Sequence, residues 1–235
     1  MENAFELSHI LYLVFSFALI AAGIFLIKRY CTTKRSIEIA TFAAAGALLF
    51  AIVWNRIAHA VVGHDARQLM PYSYCSMTSL LLSIATLVFY KNRNHYIFHC
   101  LCYIGLIGPI AAVIFPGNIL GVDSTFFAQR TLTFFFHHSL LLFLSILLLA
   151  TGQFKPDWRR WWCFILGLCF YITFGLFQIQ ALHMEHSMEI NKPFIDDTFL
   201  TWYFTGTILA LPLMMIIACI YEYAPRYLKR KKSAN

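Results

Sequence analysis

Charge is scarce in this chain. Asp, Glu, Lys and Arg make up 12% of its 235 residues, where a soluble domain carries about a quarter. With 60% hydrophobic residues and a mean hydropathy of +0.68, too few polar groups remain to cover a water-facing surface. That shortage excludes an ordinary soluble enzyme. Acidic residues are scarcer than basic ones, 11 against 18, but no RNA- or DNA-binding motif accompanies the excess, so no nucleic-acid partner is expected. Metal-site cysteine spacing is missing as well. There are seven cysteines, and Cys100 and Cys102 stand two apart rather than the three of a CxxC pair. Most of the seven fall in apolar runs, where a thiol packs as a small hydrophobe. Neither a disulfide framework, nor a metal, nor a cofactor is expected. Basic residues before the first apolar run are also lacking. Glu2 and Glu6 stand there instead, and the run is too long for a signal-peptide core, so it reads as a retained helix.

What the chain has is apolar length. A membrane helix needs about 20 mostly apolar residues, and seven stretches qualify: 10–27, 37–62, 70–90, 96–115, 131–150, 161–182 and 199–221. Phe, favourable at the centre of a membrane helix, occurs 23 times. The connections are short and no repeat is present. The expectation is an all-α polytopic membrane protein forming a single integral domain over residues 1–235. Loop charges set its orientation. Lys28, Arg29, Lys34, Arg35, Lys91, Arg93, Lys155, Arg159, Arg160 and the tail cluster Arg226, Lys229, Arg230, Lys231 and Lys232 all fall on one side of a seven-crossing chain. Glu2, Glu6, Asp65, Asp123, Glu185, Glu189, Asp196 and Asp197 fall on the other. The positive-inside rule then puts the N-terminus outside and the C-terminus in the cytoplasm, and a plasma-membrane protein surrounded by lipid is expected. Trp158, Trp161, Trp162 and Trp202 sit near segment ends, as interfacial anchors do.

Polar residues within such segments are costly and face the bundle interior or a cavity. The second segment carries Asn55, Arg56 and His59, whose three- and four-residue spacings share a helix face. The third opens with Tyr72, Ser73, Cys75, Ser76, Thr78 and Ser79, the fifth carries His137 and His138 after Arg130, and the sixth ends with Gln178 and Gln180. At 1.5 Å per residue Cys75 lies roughly 7 Å, and His138 roughly 12 Å, into its helix. Expensive groups from four segments thus share the outer half of the membrane, which points to a polar cavity open outward. Its reactive pair is a cysteine with a histidine to take its proton. Cys75 would be the nucleophile, with Arg56 and His59 on a headgroup phosphate and Asn55, Ser73, His137 or Gln178 binding substrate or polarising a carbonyl. The plainer readings are a packed thiol, a snorkelling Arg56 and interhelical glutamines. His183 and His186 have a spacing a helix-borne metal site could use, but a solvated loop is the expectation there, as headgroup contact is for the basic tail.

The motifs resemble a known family. MPYSYCSM (Met70–Met77) is similar to the Leu-Pro-Leu-His-Leu-Cys signature that opens a membrane helix in YwaF-like bacterial integral membrane proteins. YIGLIGPIAAVIFPG (Tyr103–Gly117) resembles the Gly-rich helix of that family, FFFHHSLLLF (Phe134–Phe143) its Phe-Phe-x-x-His-Gly motif, and NKP (Asn191–Pro193) its Lys-Pro loop. Those proteins are in turn distantly similar to animal multi-pass enzymes acting on acyl lipids, namely a cysteine acyltransferase of ether phospholipids and threonine hydrolases of fatty-acid esters. The resemblance implies Cys75 as nucleophile and His138 as base, with membrane lipids as partners and a lipid, a lipoprotein or water as acyl acceptor. It departs from the family at Ser73, where a histidine stands in the signature. The expected function is a membrane-embedded acyltransferase or lipid esterase. The alternative is a small-molecule transporter or permease subunit using the same cavity; a seven-helix receptor has little support, because the cytoplasmic loops are short.

Overall fold

The computed structural model describes residues 7–114, 129–185, 187–188, 190–191 and 202–234, with the side chains of residues 8, 202–207 and 225–234 outside the description. Several expectations fall beyond it: Glu2, Glu6, Phe115 to Gly117 with the end of the fourth segment, Asp123, His186, Glu189, Lys192, Pro193, Asp196, Asp197, the start of the last segment, and the side chains of Trp202 and the basic tail.

Among the described residues the architecture is all-helical. The helices are α1 (Leu7–Tyr30), α2 (Lys34–Gly63), α3 (Tyr74–Val88), α4 (Phe98–Ile114), α5 (Gln129–Ala150), α6 (Trp161–Leu182) and α7 (Trp202–Ala234), with 3₁₀ turns at Ala66–Leu69 and Trp158–Arg160. Four spans meet the length and apolarity a membrane crossing needs: His9–Tyr30, Lys34–Gly63, Gln129–Ala150 and Trp158–Leu182. Helices α3 and α4, with 15 and 17 residues, reach about 22 and 25 Å against a hydrocarbon core of about 30 Å.

Capping explains where the helix ends depart from the apolar runs. Thr33 accepts from the Ser36 amide while the Thr33 amide donates to Ser36 Oγ, a reciprocal box that starts α2 three residues before its apolar run. Ser73 and Ser76 form the same box, so α3 begins at Tyr74 and the expected start at Met70 is extended chain and cap. His64 and His183 close α2 and α6 in the left-handed conformation.

Helices α3, α4 and α5 form the centre. Helix α5 packs against α1, α2, α3 and α4, and α4 packs against α6 and α7 as well. Leu48, Leu82, Phe98, Leu101, Tyr103, Leu141, Leu144, Phe164 and Tyr171 fill the shared core. Phe15, Phe25, Phe50, Phe170, Phe177 and Ile220 are exposed on the outer surface. Large exposed apolar residues on a bundle whose interior holds the serines, threonines and histidines are the arrangement lipid demands.

Candidate functional site

The expensive polar groups converge at one end of α2, α3 and α5. Asn55 is fully buried, and Arg56, at 8% exposure, nearly so. Arg56 Nε donates to Asn55 Oδ1 at 3.1 Å, Arg56 Nη2 donates to the same oxygen, and Asn55 Nδ2 donates to Thr133 Oγ1 at 3.0 Å. Thr133 in turn donates back to the Gln129 carbonyl at 2.9 Å. This relay ties the guanidinium on α2 to the first turns of α5. The guanidinium lies 4.5 Å from the centroid of the Tyr72 ring, a cation–π contact. The Tyr72 hydroxyl is 3.3 Å from His59 Nδ1. Among the described residues no carboxylate pairs with Arg56.

The two histidines are held alike. His137 Nδ1 donates to the Thr133 carbonyl at 3.0 Å and His138 Nδ1 donates to the Phe134 carbonyl at 2.8 Å. A carbonyl oxygen only accepts, so each Nδ1 carries the hydrogen and the neutral ring presents Nε2 as an acceptor. Their ring centroids are 3.9 Å apart. Arg56 Nη1, Arg130 Nε and His137 Nε2 are among the polar atoms at this end that are buried without a hydrogen-bond partner. Buried donors and acceptors are normally paired. Two guanidinium groups with unused donors are suited to an anion bearing several oxygens, while His137 Nε2, an acceptor, suits a hydroxyl.

Cys75 sits in the first turn of α3, buried at 9% exposure. A Cβ built on Gly108 of α4 would lie 3.0 Å from its Sγ. Helices α4 and α5 are joined antiparallel in register. A Cβ on Gly105 would meet Ser145 and Leu141, and one turn or more further out Val113 clusters with Phe135. Gly108, three residues from Gly105 toward Val113, therefore stands opposite the stretch of α5 between Leu141 and Phe135, which includes His138. None of the seven cysteines is in a disulfide.

The remaining candidates lie around this group. Ser73 is the N-cap of α3. Gln178, fully buried, donates from Nε2 to the Pro71 carbonyl at 3.2 Å and accepts from Ser187 Oγ, while the Met188 amide donates to the Tyr72 carbonyl at 2.7 Å. Its amide thus straps α6 and residues 187–188 to the chain that leads into α3. Among the described residues no group of three metal-ligating side chains exists. Sequence reasoning singled out Asn55, Arg56 and His59 as one face and noted Tyr72 at the opening of the third segment without giving it a role, but missed Thr133 and Gly108 as parts of the site. Thr133 lies one turn before His137, a spacing that could have drawn attention to it; Gly108 carries no such signal. At the end of α1, His9 Nε2 donates to the Val113 carbonyl at 2.8 Å and Tyr12 stacks on Phe135 at 4.3 Å, pinning α1 against α4 and α5.

In comparison with known proteins, the model of the TMEM164 family matches residues 4–223. No curated protein matches the chain, and no solved structure does.

Proposed function

The chain belongs to the TMEM164 family, and we propose that it is a membrane-embedded acyltransferase or lipid esterase working through Cys75 and His138. In this reading it crosses the plasma membrane seven times, with the N-terminus outside and the site near the outer face. The alternation of basic and acidic loops supports that orientation.

The observation that carries the proposal is that the Cys75 sulfur packs on Gly108, which stands opposite the stretch of α5 that includes His138, and that the His138 ring is fixed so that Nε2 accepts. The Cys75 sulfur attacks the carbonyl carbon of an acyl ester as His138 Nε2 takes the thiol proton. The acyl C–O bond breaks, the proton passes from His138 to the leaving alkoxide, and a thioester remains on Cys75. An acceptor hydroxyl, of a lipid or of water, then gives its proton to His138 and takes the acyl group as the C–S bond breaks. The thiol regains its proton from His138. Arg56 and Arg130, with buried nitrogens lacking partners, hold the phosphate of the lipid headgroup. The motif resemblance to YwaF-like proteins points to the same pair.

Lipid turnover by purified Cys75→Ala and His138→Ala variants tests the reading: both are expected to lose activity, and full activity in both ends it. The unpartnered Arg56 and Arg130 nitrogens also suit a transporter of small anions. Substrate flux that survives Cys75→Ala but not Arg56→Gln would select that second reading.

A further inference from the structure

A second polar site lies at the opposite end of the bundle. The first turn of α2, the α3–α4 connection and the end of α5 border a half-open cavity of about 620 Å³ whose lining includes Lys34, Glu38, Lys91, Arg93 and Gln153. It is remote from Cys75 and His138, since Cys75 opens α3 and His138 lies in the first half of α5, more than three turns before Gln153. Lys34 and Lys91 are exposed, as residues that only set topology would be. Arg93 differs: it is buried, at 4% exposure.

Arg93 is held as a preformed fork. Its Nε donates to the Thr86 carbonyl at 3.3 Å and its Nη1 donates to Gln153 Oε1. Gln153 Nε2 donates onward to Thr41 Oγ1 at 2.9 Å, which fixes the amide from behind. The guanidinium lies 5.3 Å from the centroid of the Phe42 ring. Its Nη2 is buried with no partner. Among the described residues no carboxylate is within ion-pair distance of Arg93. Three cations against the single acid Glu38 leave the lining with an uncompensated positive charge. A guanidinium immobilised by packing and hydrogen bonds, with an unused donor, loses little entropy on binding an oxyanion.

We propose that this cavity binds a phosphate monoester, with Arg93 Nη2 as the buried donor and Lys34 and Lys91 closing over the anion from the rim. The phosphate belongs either to an anionic lipid headgroup of the adjacent leaflet or to a soluble phosphate ester. The site is independent of the acyl-transfer reading.

The test uses the full chain. In one arm it is reconstituted in nanodiscs of phosphatidylcholine with added phosphatidic acid, and in the other it is held in neutral detergent with glycerol 3-phosphate. Binding is read by native mass spectrometry and by titration of intrinsic fluorescence. The variants are Arg93→Gln and the rim double variant Lys34→Gln/Lys91→Gln, whose exposed side chains leave folding intact. Lys28→Gln/Arg29→Gln removes the same charge from the same face outside the cavity. Affinity is expected to fall at least tenfold in the rim variant and to change less than twofold in the control. Saturable binding only in nanodiscs assigns the lipid headgroup, and binding only in detergent assigns the soluble ester. Absence of saturable binding in both arms, or equal loss in rim variant and control, overturns the proposal.

Discussion

Gly108 of α4 stands against the sulfur of Cys75 on α3, close enough that a Cβ there would lie 3.0 Å from Sγ. The contact lets the two helices meet at the thiol. Gly108→Ala is expected to displace the sulfur by a few tenths of an ångström and lower lipid turnover several-fold. Thermal stability should change by less than about 1 kcal/mol, because Ala gains helix propensity over Gly. Turnover and melting temperature measured on the same preparations check this. Unchanged turnover would mean that the position of the sulfur is not limiting.

The relay from Arg56 through Asn55 to Thr133 makes an ordered prediction about stability. Asn55→Leu strips a buried guanidinium of its acceptor and is expected to cost about 1.5–3 kcal/mol, the range for hydrogen bonds to charged groups. Thr133→Val removes a neutral acceptor and is expected to cost about 0.5–1.5 kcal/mol. The double variant should cost less than the two together, because both report the same bond. Denaturation of the four proteins in one detergent gives the cycle. Strict additivity would contradict a shared network.

Gly167 marks the tightest crossing of α4 and α6, where a Cβ would fall 1.9 Å from Cys100 Sγ and 2.7 Å from its Cβ. No small adjustment relieves that overlap. Gly167→Ala is expected to destabilise by about 1–3 kcal/mol, as overpacking does. Cys100→Ala in the same background should restore part of the loss, since the Cβ contact remains. A melting temperature unchanged by Gly167→Ala would show that the two helices can separate freely.

The loop between α2 and α3 carries a pH dependence. Asp65 accepts from Arg67 Nε at 2.9 Å and from the Arg67 amide at 3.0 Å, and Arg67 Nη1 donates to the carbonyls of Leu182 and His183 at 3.1 and 2.9 Å. These bonds to Arg67 hold the Asp65 carboxyl below the ordinary carboxylate range. A depressed folded-state value means that the stabilisation is complete above the unfolded value of about 3.9 and is lost as pH falls through the lower folded value. Hydrogen exchange at the end of α6, taken relative to the intrinsic amide rate at each pH, should therefore be flat from neutral pH down to about 4 and rise below it. In Asp65→Asn it should be raised already at neutral pH, without the acid step. A wild-type profile matching that of the variant would contradict the clamp.

Much of the helical framework was legible because lipid imposes it. Trp161–Leu182 was expected and is observed as α6. Helix α2 starts three residues before its apolar stretch because a Thr33–Ser36 cap, not hydropathy, starts it. The start of α3 moved from Met70 to Tyr74 for the same kind of reason, a Ser73–Ser76 cap after Pro71. At the site, periodicity put Asn55, Arg56 and His59 on one face, and the cost of burying imidazoles drew attention to His137 and His138. Periodicity could not pair Asn55 with Thr133, 78 residues away, because a single chain carries no record of which helices touch. Nor could it assign the histidine tautomers, which depend on carbonyls one turn back.

The most direct measurement is intact-protein mass spectrometry after brief incubation with an acyl phospholipid. A gain of one acyl group is predicted, released by hydroxylamine, mapping to Cys75, and absent from Cys75→Ser and His138→Ala. Turnover that proceeds undiminished in both variants, with no acyl group ever found on Cys75, would contradict the account.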